Sequence, residues 1–325
     1  MRVLYARQFF KSLIVSVLGL YLSFLFSTLY FFIYEPEKTP DTFAPVIELQ
    51  GGESIRIPVN SDYSEPGYDS YDIGGDYTLT VDGEVDPNTE GEYEIKYTAT
   101  DDSGNTTTVS RKVHVIKPAG TVYLTFDDGP SEHTGRLLDV LKKYGVKVTF
   151  FVTGRGDDTY FKREFDEGHT VALHTNSHNY SYVYSSVDNY FNDLNAISAR
   201  VKAQTGEESK LLRFPGGSSN LVSRRYDGRT RIMSRLANEV TARGYTYFDW
   251  NVDSNDAGGA STTDEVFNNV TSRLVVGGDS VVLQHDVKGF SVDAVERIIN
   301  YCNEHNFIFK KLDSTSFTAH HGINN

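Results

Sequence analysis

Two adjacent carboxylates, Asp127 and Asp128, close an apolar run at residues 121–126 and stand just before Gly129-Pro130. The run is β-branched and aromatic, so it reads as a buried strand that must leave its sheet at the glycine and proline. Neighbouring carboxylates at the mouth of such a strand repel each other unless a cation or a shared proton compensates. By itself, Asp-Asp-Gly is an ordinary strand-end turn. Two histidines, His174 and His178, then follow four residues apart. On one side of a helical turn, that spacing suits two ligands of a single metal ion. A lone HxxxH pair is more often incidental. With the acids upstream it becomes a candidate facial His-His-Asp site, with positions left open for water and substrate. Nitrogen and oxygen ligands make zinc the first expectation, and cobalt, nickel or manganese also fit.

The elements that must gather these residues alternate between strand and helix. Strand-like runs lie at 148–152, 170–173, 211–214, 245–250, 280–283 and 307–309, and amphipathic stretches at 137–144 and 292–302 fall between them. This alternation from residue 120 onward predicts a parallel α/β sheet or barrel. The polar residues sit at or just past the strand-like runs: Asp127 and Asp128, His174, Arg213, then Asp249, Asp253 and Asp256, and finally His285. In a parallel barrel those strand ends share one face, where active sites form.

The residues before 120 have a different texture. Positions 12–34 carry no charge and are dominated by Leu, Phe, Val, Ile and Tyr. About 20 apolar residues span a bilayer, whereas a cleaved signal peptide has an apolar region of about 7 to 15. Arg2, Arg7 and Lys11 precede the stretch, while Glu35 and Glu37 follow it. The positive-inside rule then puts the N-terminus in the cytoplasm and the rest outside. A long signal peptide is the competing reading. Residues 35–43, with Pro36 and Pro40, read as a short extended spacer. From 44 to 117 short alternating strands are broken by turns at Gly51-Gly52, Asp82-Gly83 and Ser103-Gly104-Asn105, the pattern of a small β-sandwich. Residues 92–105 resemble bacterial immunoglobulin-like domains of surface proteins. Fifteen acids against five bases between Pro45 and Lys117 suit a soluble stalk rather than a binder of anionic polymer.

Five motifs in order carry a second resemblance: Thr125-Phe126-Asp127-Asp128-Gly129, His174-x-x-x-His178, Arg213-Phe214-Pro215-Gly216-Gly217, the acidic segment after Trp250, and Leu283-Gln284-His285. Residues 120–312 resemble the NodB-homology polysaccharide deacetylases, carbohydrate esterases of family 4. The resemblance implies an irregular (β/α) barrel at 118–325, behind the immunoglobulin-like sandwich at 44–117 and the anchor at 1–34. It implies a metal held by Asp128, His174 and His178, with Asp127 as general base and Arg213 orienting it. His285 would be the general acid, tuned by Asp256 rather than Asp253, and the Gly216 N–H an oxyanion donor. Leu283 would line the acetyl pocket, and Trp250 could supply a ring to it. Two positions depart from the family pattern: Ala257 follows Asp256 where a tryptophan is common, and Gly216 stands where an aromatic is common.

The implied function is removal of acetyl from N-acetylglucosamine units, in peptidoglycan first, by an enzyme held at the outer membrane face against the cell wall. Chitooligosaccharide deacetylation and glycan O-acetyl ester hydrolysis are the alternatives within enzymes, since amide and ester pass through the same oxyanion. A surface glycan-binding protein that has lost activity is the alternative of another class. A formal net charge of -13 argues against a nucleic-acid partner. The single cysteine, Cys302, excludes an intrachain disulfide and falls in the apolar register of its helix-like stretch. Arg224, Arg225, Arg229, Arg231 and Arg235 read as a solvated basic face, and His320 and His321 have no matching partners.

Overall fold

The computed structural model describes residues 16–25 and 41–325. Residues 16–25 form a helix, α1. The rest of the apolar stretch at 12–34 lies outside the described residues, as do its charged flanks and most of the spacer at 35–43. Among the described residues, no helix is long and apolar enough to cross a membrane.

Six strands follow: β1 (Val46–Leu49), β2 (Ser54–Pro58), β3 (Tyr68–Tyr71), β4 (Tyr77–Asp82), β5 (Gly91–Asp101) and β6 (Thr106–Ile116). The order β2-β6-β5-β4 makes one sheet and β1-β3 a second pair. Alternation along β5 turns Ile95, Tyr97 and Ala99 inward, where they meet Ile47 of β1 and Val113 of β6. Arg111 is buried in this module, and its charge is met by Glu65 at 3.1 Å and the Gly67 carbonyl at 2.9 Å. Three residues separate β6 from the next strand, and Arg56 of β2 reaches across to donate to Asn306 at 2.8 Å.

The remainder alternates as expected: β7 (Gly120–Asp127), α2 (Thr134–Tyr144), β8 (Thr149–Val152), α3 (Thr159–Asp166), β9 (Thr170–Leu173), α4 (Tyr180–Val183), α5 (Val187–Thr205), β10 (Leu211–Leu212), α6 (Ile232–Ala242), β11 (Thr246–Tyr247), β12 (Val252–Asp253), α7 (Thr263–Thr271), β13 (Asp279–His285), α8 (Gly289–Glu304) and β14 (Phe307–Phe309). The parallel order is β11-β10-β9-β8-β7-β13-β12, with β14 against the first half of β7. β11 and β12 do not pair, so the expected barrel is an open, curved half-barrel.

Two expected strands are shorter than their apolar runs. The run at 211–214 pairs only over Leu211–Leu212, because Pro215 has no N–H and Gly216 and Gly217 take φ of 74° and 78°. The run at 245–250 pairs only over Thr246–Tyr247, and the Asp249 N–H turns to the Thr318 carbonyl at 3.0 Å.

Period-two alternation divides the strands between two apolar layers. Val122, Leu124 and Phe126 of β7 face the helices in the large core, together with Cys302 of α8. Tyr123 faces the other way, into a smaller cluster with Phe151, Ala172, Phe248, Val281 and Leu312. Burial pushes the Cys302 thiol up to about 12, as suits a packed side chain. The inner face of β7 therefore runs Tyr123, Thr125, Asp127, and the register sets Leu283 beside Thr125 and His285 beside Asp127.

Candidate active site

Asp127 extends the inner face of β7, and an ideal strand would point Asp128 to the opposite side. It does not, because Asp128 takes φ of 76° and leaves β geometry. Aspartate tolerates this left-handed conformation better than most residues. Both carboxylates thereby serve one pocket. The Asp128 Oδ1 atom lies 3.3 Å from His178 Nε2 and 3.7 Å from His174 Nε2.

The two histidines are not on a helical turn as the spacing suggested. They occupy the loop between β9 and α4, with Thr175 at φ of 68° and His178 at 48°. A β-branched residue is strained there, and the Thr175 hydroxyl is buried without a partner. The loop is tied from outside: Asn176 O accepts from Gly154 N–H at 2.9 Å, and the Asp193 carboxylate accepts from Ser177 N–H at 2.9 Å. His174 Nδ1 lies 2.8 Å from the Arg213 carbonyl, which assigns the proton to Nδ1 and frees the Nε2 lone pair. Burial, then His174, pushes His178 down to about 4, so its imidazole is neutral at pH 7.

This donor set fits a divalent ion. Ligands about 2.0–2.2 Å from a tetrahedral centre stand roughly 3.3–3.6 Å apart, close to the separations from Asp128 to the two imidazoles. Asp128 Oδ1 is also buried with no hydrogen-bond donor, an arrangement that a cation would satisfy. Asp128, His174 and His178 thus form a candidate metal centre.

On one side of it stands the Asp127–Arg213 pair. Arg213 is fully buried and donates to Asp127 Oδ1 at 2.7 Å and to the Thr125 hydroxyl at 2.8 Å. Its other nitrogens reach the Phe248 carbonyl at 3.3 Å and the Asp249 carbonyl at 2.9 Å, and its plane lies 4.1 Å over the Phe151 ring. Asp127 Oδ2 lies 3.7 Å from His174 Nε2. Next to Asp127, at the end of β13, is His285, with Nδ1 2.7 Å from Asp256 Oδ1, while its backbone N–H donates to Asp256 Oδ2 at 2.7 Å. Burial opposes protonation of His285, but the Asp256 bond and charge outweigh it, with help from Asp127 and Asp128. The imidazole is pushed up to about 9. Asp253 is elsewhere, accepting from Trp250 Nε1 at 3.2 Å.

The polysaccharide deacetylase pattern matches residues 114–232, and that of bacterial surface protein Ig-like domains matches 47–115. A peptidoglycan-N-acetylglucosamine deacetylase of Bacillus cereus is 31% identical over 206 residues, which is 60% of this chain and 70% of that protein. The chain belongs to the polysaccharide deacetylase family. It is a hydrolase acting on amide bonds. The crystal structure of the catalytic domain of a peptidoglycan N-acetylglucosamine deacetylase from Eubacterium rectale matches with a TM-score of 0.61 at 48% identity, covering 63% of this chain and 94% of that one. The Bacillus subtilis peptidoglycan-N-acetylmuramic acid deacetylase PdaA is 28% identical, covering 61% of this chain and 72% of the relative.

Around the deacetylase centre, Leu283 is buried on the inner face of β13. Trp250 is half-buried against the inner cluster, and its ring lies 5.7 Å from the Arg213 guanidinium. A Cβ on Gly217 would meet that ring at 2.9 Å, so this glycine is needed for close approach. Sequence reasoning missed four supports. Thr125 shares Arg213 with Asp127. Asp249, fully buried, accepts from Ser218 N–H at 2.8 Å and from the Ser218 hydroxyl, and so fixes the loop after Gly216-Gly217. His321 lies 2.6 Å through Nε2 from the Trp250 carbonyl, and its ring stands edge-on to Trp250 at 4.7 Å. Tyr180 lies edge-on to His178 at 5.3 Å, and burial with the charges of Asp128 and Asp127 raises its hydroxyl to about 12. The place of Thr125 in the first motif and of Asp249 at a strand end were usable signals, and Tyr180 stood out only as one of several tyrosines; His321 had none.

Proposed function

We propose that this enzyme removes acetyl groups from N-acetylglucosamine units of peptidoglycan and that it needs a divalent cation, zinc first. The observation that carries the reading is the Asp128, His174 and His178 cluster at the same strand ends as two separately braced proton-transfer groups, Asp127 and His285. Sugar and polymer are supported by the Bacillus cereus and Eubacterium rectale relatives, whose names give that substrate.

A bound cation supplies Lewis acidity at the carbonyl and lowers the proton affinity of a water. Asp127 accepts a proton from the attacking water through Oδ2, since Arg213 occupies Oδ1. The Gly216 N–H stabilises the negative oxygen of the tetrahedral carbon. His285 gives its proton to the leaving nitrogen as the C–N bond breaks, yielding a free amine and acetate. Asp256 holds the imidazole on Nδ1, so Nε2 carries the proton that is transferred.

We further propose that residues 12–34 anchor the chain with the catalytic domain outside, facing the wall. In its support, α1 leaves Val17, Leu18, Leu20, Tyr21 and Phe24 more than half exposed, as a lipid-facing helix would. Recovery of an intact chain in the membrane fraction is expected; a shortened, soluble product overturns the anchor. For the activity, the assay is acetate release from N-acetylated glycan strands, abolished by chelator and restored by zinc or cobalt. A folded, metal-loaded protein inert on peptidoglycan and on N-acetylglucosamine oligomers overturns the reading.

A further inference from the structure

We infer that the Tyr180 hydroxyl is a second hydrogen-bond donor to the oxyanion, beside the Gly216 N–H. This inference rests on the amide-hydrolysis reading above. Tyr180 begins α4, whose first turn is fixed by Asn179 accepting from the Ser181 N–H at 3.1 Å. The Tyr180 ring packs edge-on to the metal-site imidazole of His178 at 5.3 Å and against Tyr184 at 5.7 Å. Tyr184 in turn donates to the Pro215 carbonyl at 2.6 Å. The short segment from Tyr180 to Tyr184 therefore braces both the histidine loop and the turn that carries Gly216.

Gly216 has no side chain and φ of 74°. A Cβ built there would stand 3.0 Å from the Tyr180 hydroxyl and 3.4 Å from Asn220 Cβ. The phenol oxygen thus borders the space that a side chain at position 216 would take. It therefore stands beside the residue whose N–H is the oxyanion donor in the reading above. The Tyr184 hydroxyl next to it is bonded to Pro215, but among the described residues the Tyr180 hydroxyl makes no hydrogen bond. A free donor in a half-buried cleft needs a ligand or water to satisfy it.

The chemistry requires no proton transfer from the phenol. As water attacks, the C=O π pair moves to the amide oxygen, and the O–H dipole stabilises that charge more than it does the neutral carbonyl. The pair returns when the C–N bond breaks. A donor that strengthens only at that stage raises kcat without tightening substrate binding.

The test is Tyr180→Phe, which keeps both ring contacts, assayed on N-acetylglucosamine oligomers with the cation content measured in parallel. Loss of one oxyanion donor costs on the order of 10²-fold in kcat. The expected result is a fall of about that size, with KM within about twofold and the cation and melting temperature unchanged. A kcat close to wild type overturns the proposal, and so does an effect confined to KM. A loss of cation in the variant also overturns it, because it assigns Tyr180 to holding His178. Inactivity of the wild-type enzyme in the same assay is a separate outcome that sinks the functional reading itself.

Discussion

His285 uses both oxygens of Asp256, one through its ring and one through its own backbone N–H, each at 2.7 Å. The carboxylate therefore fixes where the histidine sits as well as its charge. Burial alone would keep this imidazole neutral, so its pull to about 9 depends on Asp256 first and on Asp127 and Asp128 after it. The sign follows directly. A general acid works while protonated, so kcat should hold through neutral pH and fall as pH rises through about 9. Asp256→Asn removes the main opposing charge and leaves burial to dominate. The alkaline limb of the pH–rate profile should then move below the ordinary histidine value of 6.5, with little activity left at pH 7. A limb that stays in place would remove Asp256 from this role.

Thr125 supports the opposite side of the site in a way that a near-isosteric substitution can isolate. Its hydroxyl donates to the Val282 carbonyl at 2.6 Å and accepts from Arg213 at 2.8 Å. Thr125→Val keeps the volume while leaving a buried carbonyl and one guanidinium hydrogen short of a partner. Such losses cost about 1–3 kcal/mol each, read as a lower midpoint in urea. Turnover should drop more modestly, because the Arg213 contact to Asp127 survives. Arg213→Lys is the harsher change. A lysine presents a point charge where four acceptors and the Phe151 face now use a planar fork. Breaking a buried pair costs about 3–5 kcal/mol.

Asp127 and Asp128 are adjacent in sequence yet should separate cleanly by experiment. Asp127→Asn leaves the cation ligands untouched, so the purified variant should keep its metal and its affinity for glycan while losing turnover by about 10³-fold or more, within the range seen when an acid–base group is removed. His178→Gln should instead lose the cation, along with activity, at an unchanged fold. Elemental analysis of the two proteins discriminates. Equal metal content in both would separate His178 from the metal site.

Much of this site was legible because its chemistry lies in residue types at strand ends. Asp128, His174 and His178 come from two separate stretches, and parallel topology brings them to one face as the alternation from residue 120 implied. Asp256, preferred to Asp253 on the motif, is the carboxylate that meets His285. Local conformation was less legible. The histidine loop is not helical, since strain at Thr175 and His178 is sustained by ties to Gly154 and Asp193, partners that sequence spacing does not reveal. The open edge between β11 and β12 was also hidden, because an apolar run at 245–250 reads as strand whether or not it finds a neighbour.

What lies along that open edge leads to the last expectation. The segment following Thr318 runs beside residues 247–250 and tethers them: Thr318 accepts from the Asp249 N–H, His320 stacks on Tyr247 at 3.8 Å, and the His321 N–H donates to the Asp249 carboxylate at 2.8 Å. It then reaches the loop after Gly216-Gly217, where His321 Nδ1 lies 3.2 Å from the Ser219 hydroxyl and Asn324 donates to the Ser219 carbonyl at 3.2 Å. His321 thus links Trp250, a candidate ring of the acetyl pocket, to the loop that follows Gly216, although it touches none of the proton-transfer groups. His321→Ala removes its ring contacts while sparing its backbone bond to Asp249. The loss should be about 1–2 kcal/mol of stability for the side-chain hydrogen bonds. Since Trp250 and the Gly216 turn lose a brace while Asp127 and His285 keep theirs, KM should rise several-fold with the pH profile of kcat unmoved. A shift in that profile would instead tie His321 to the proton-transfer groups.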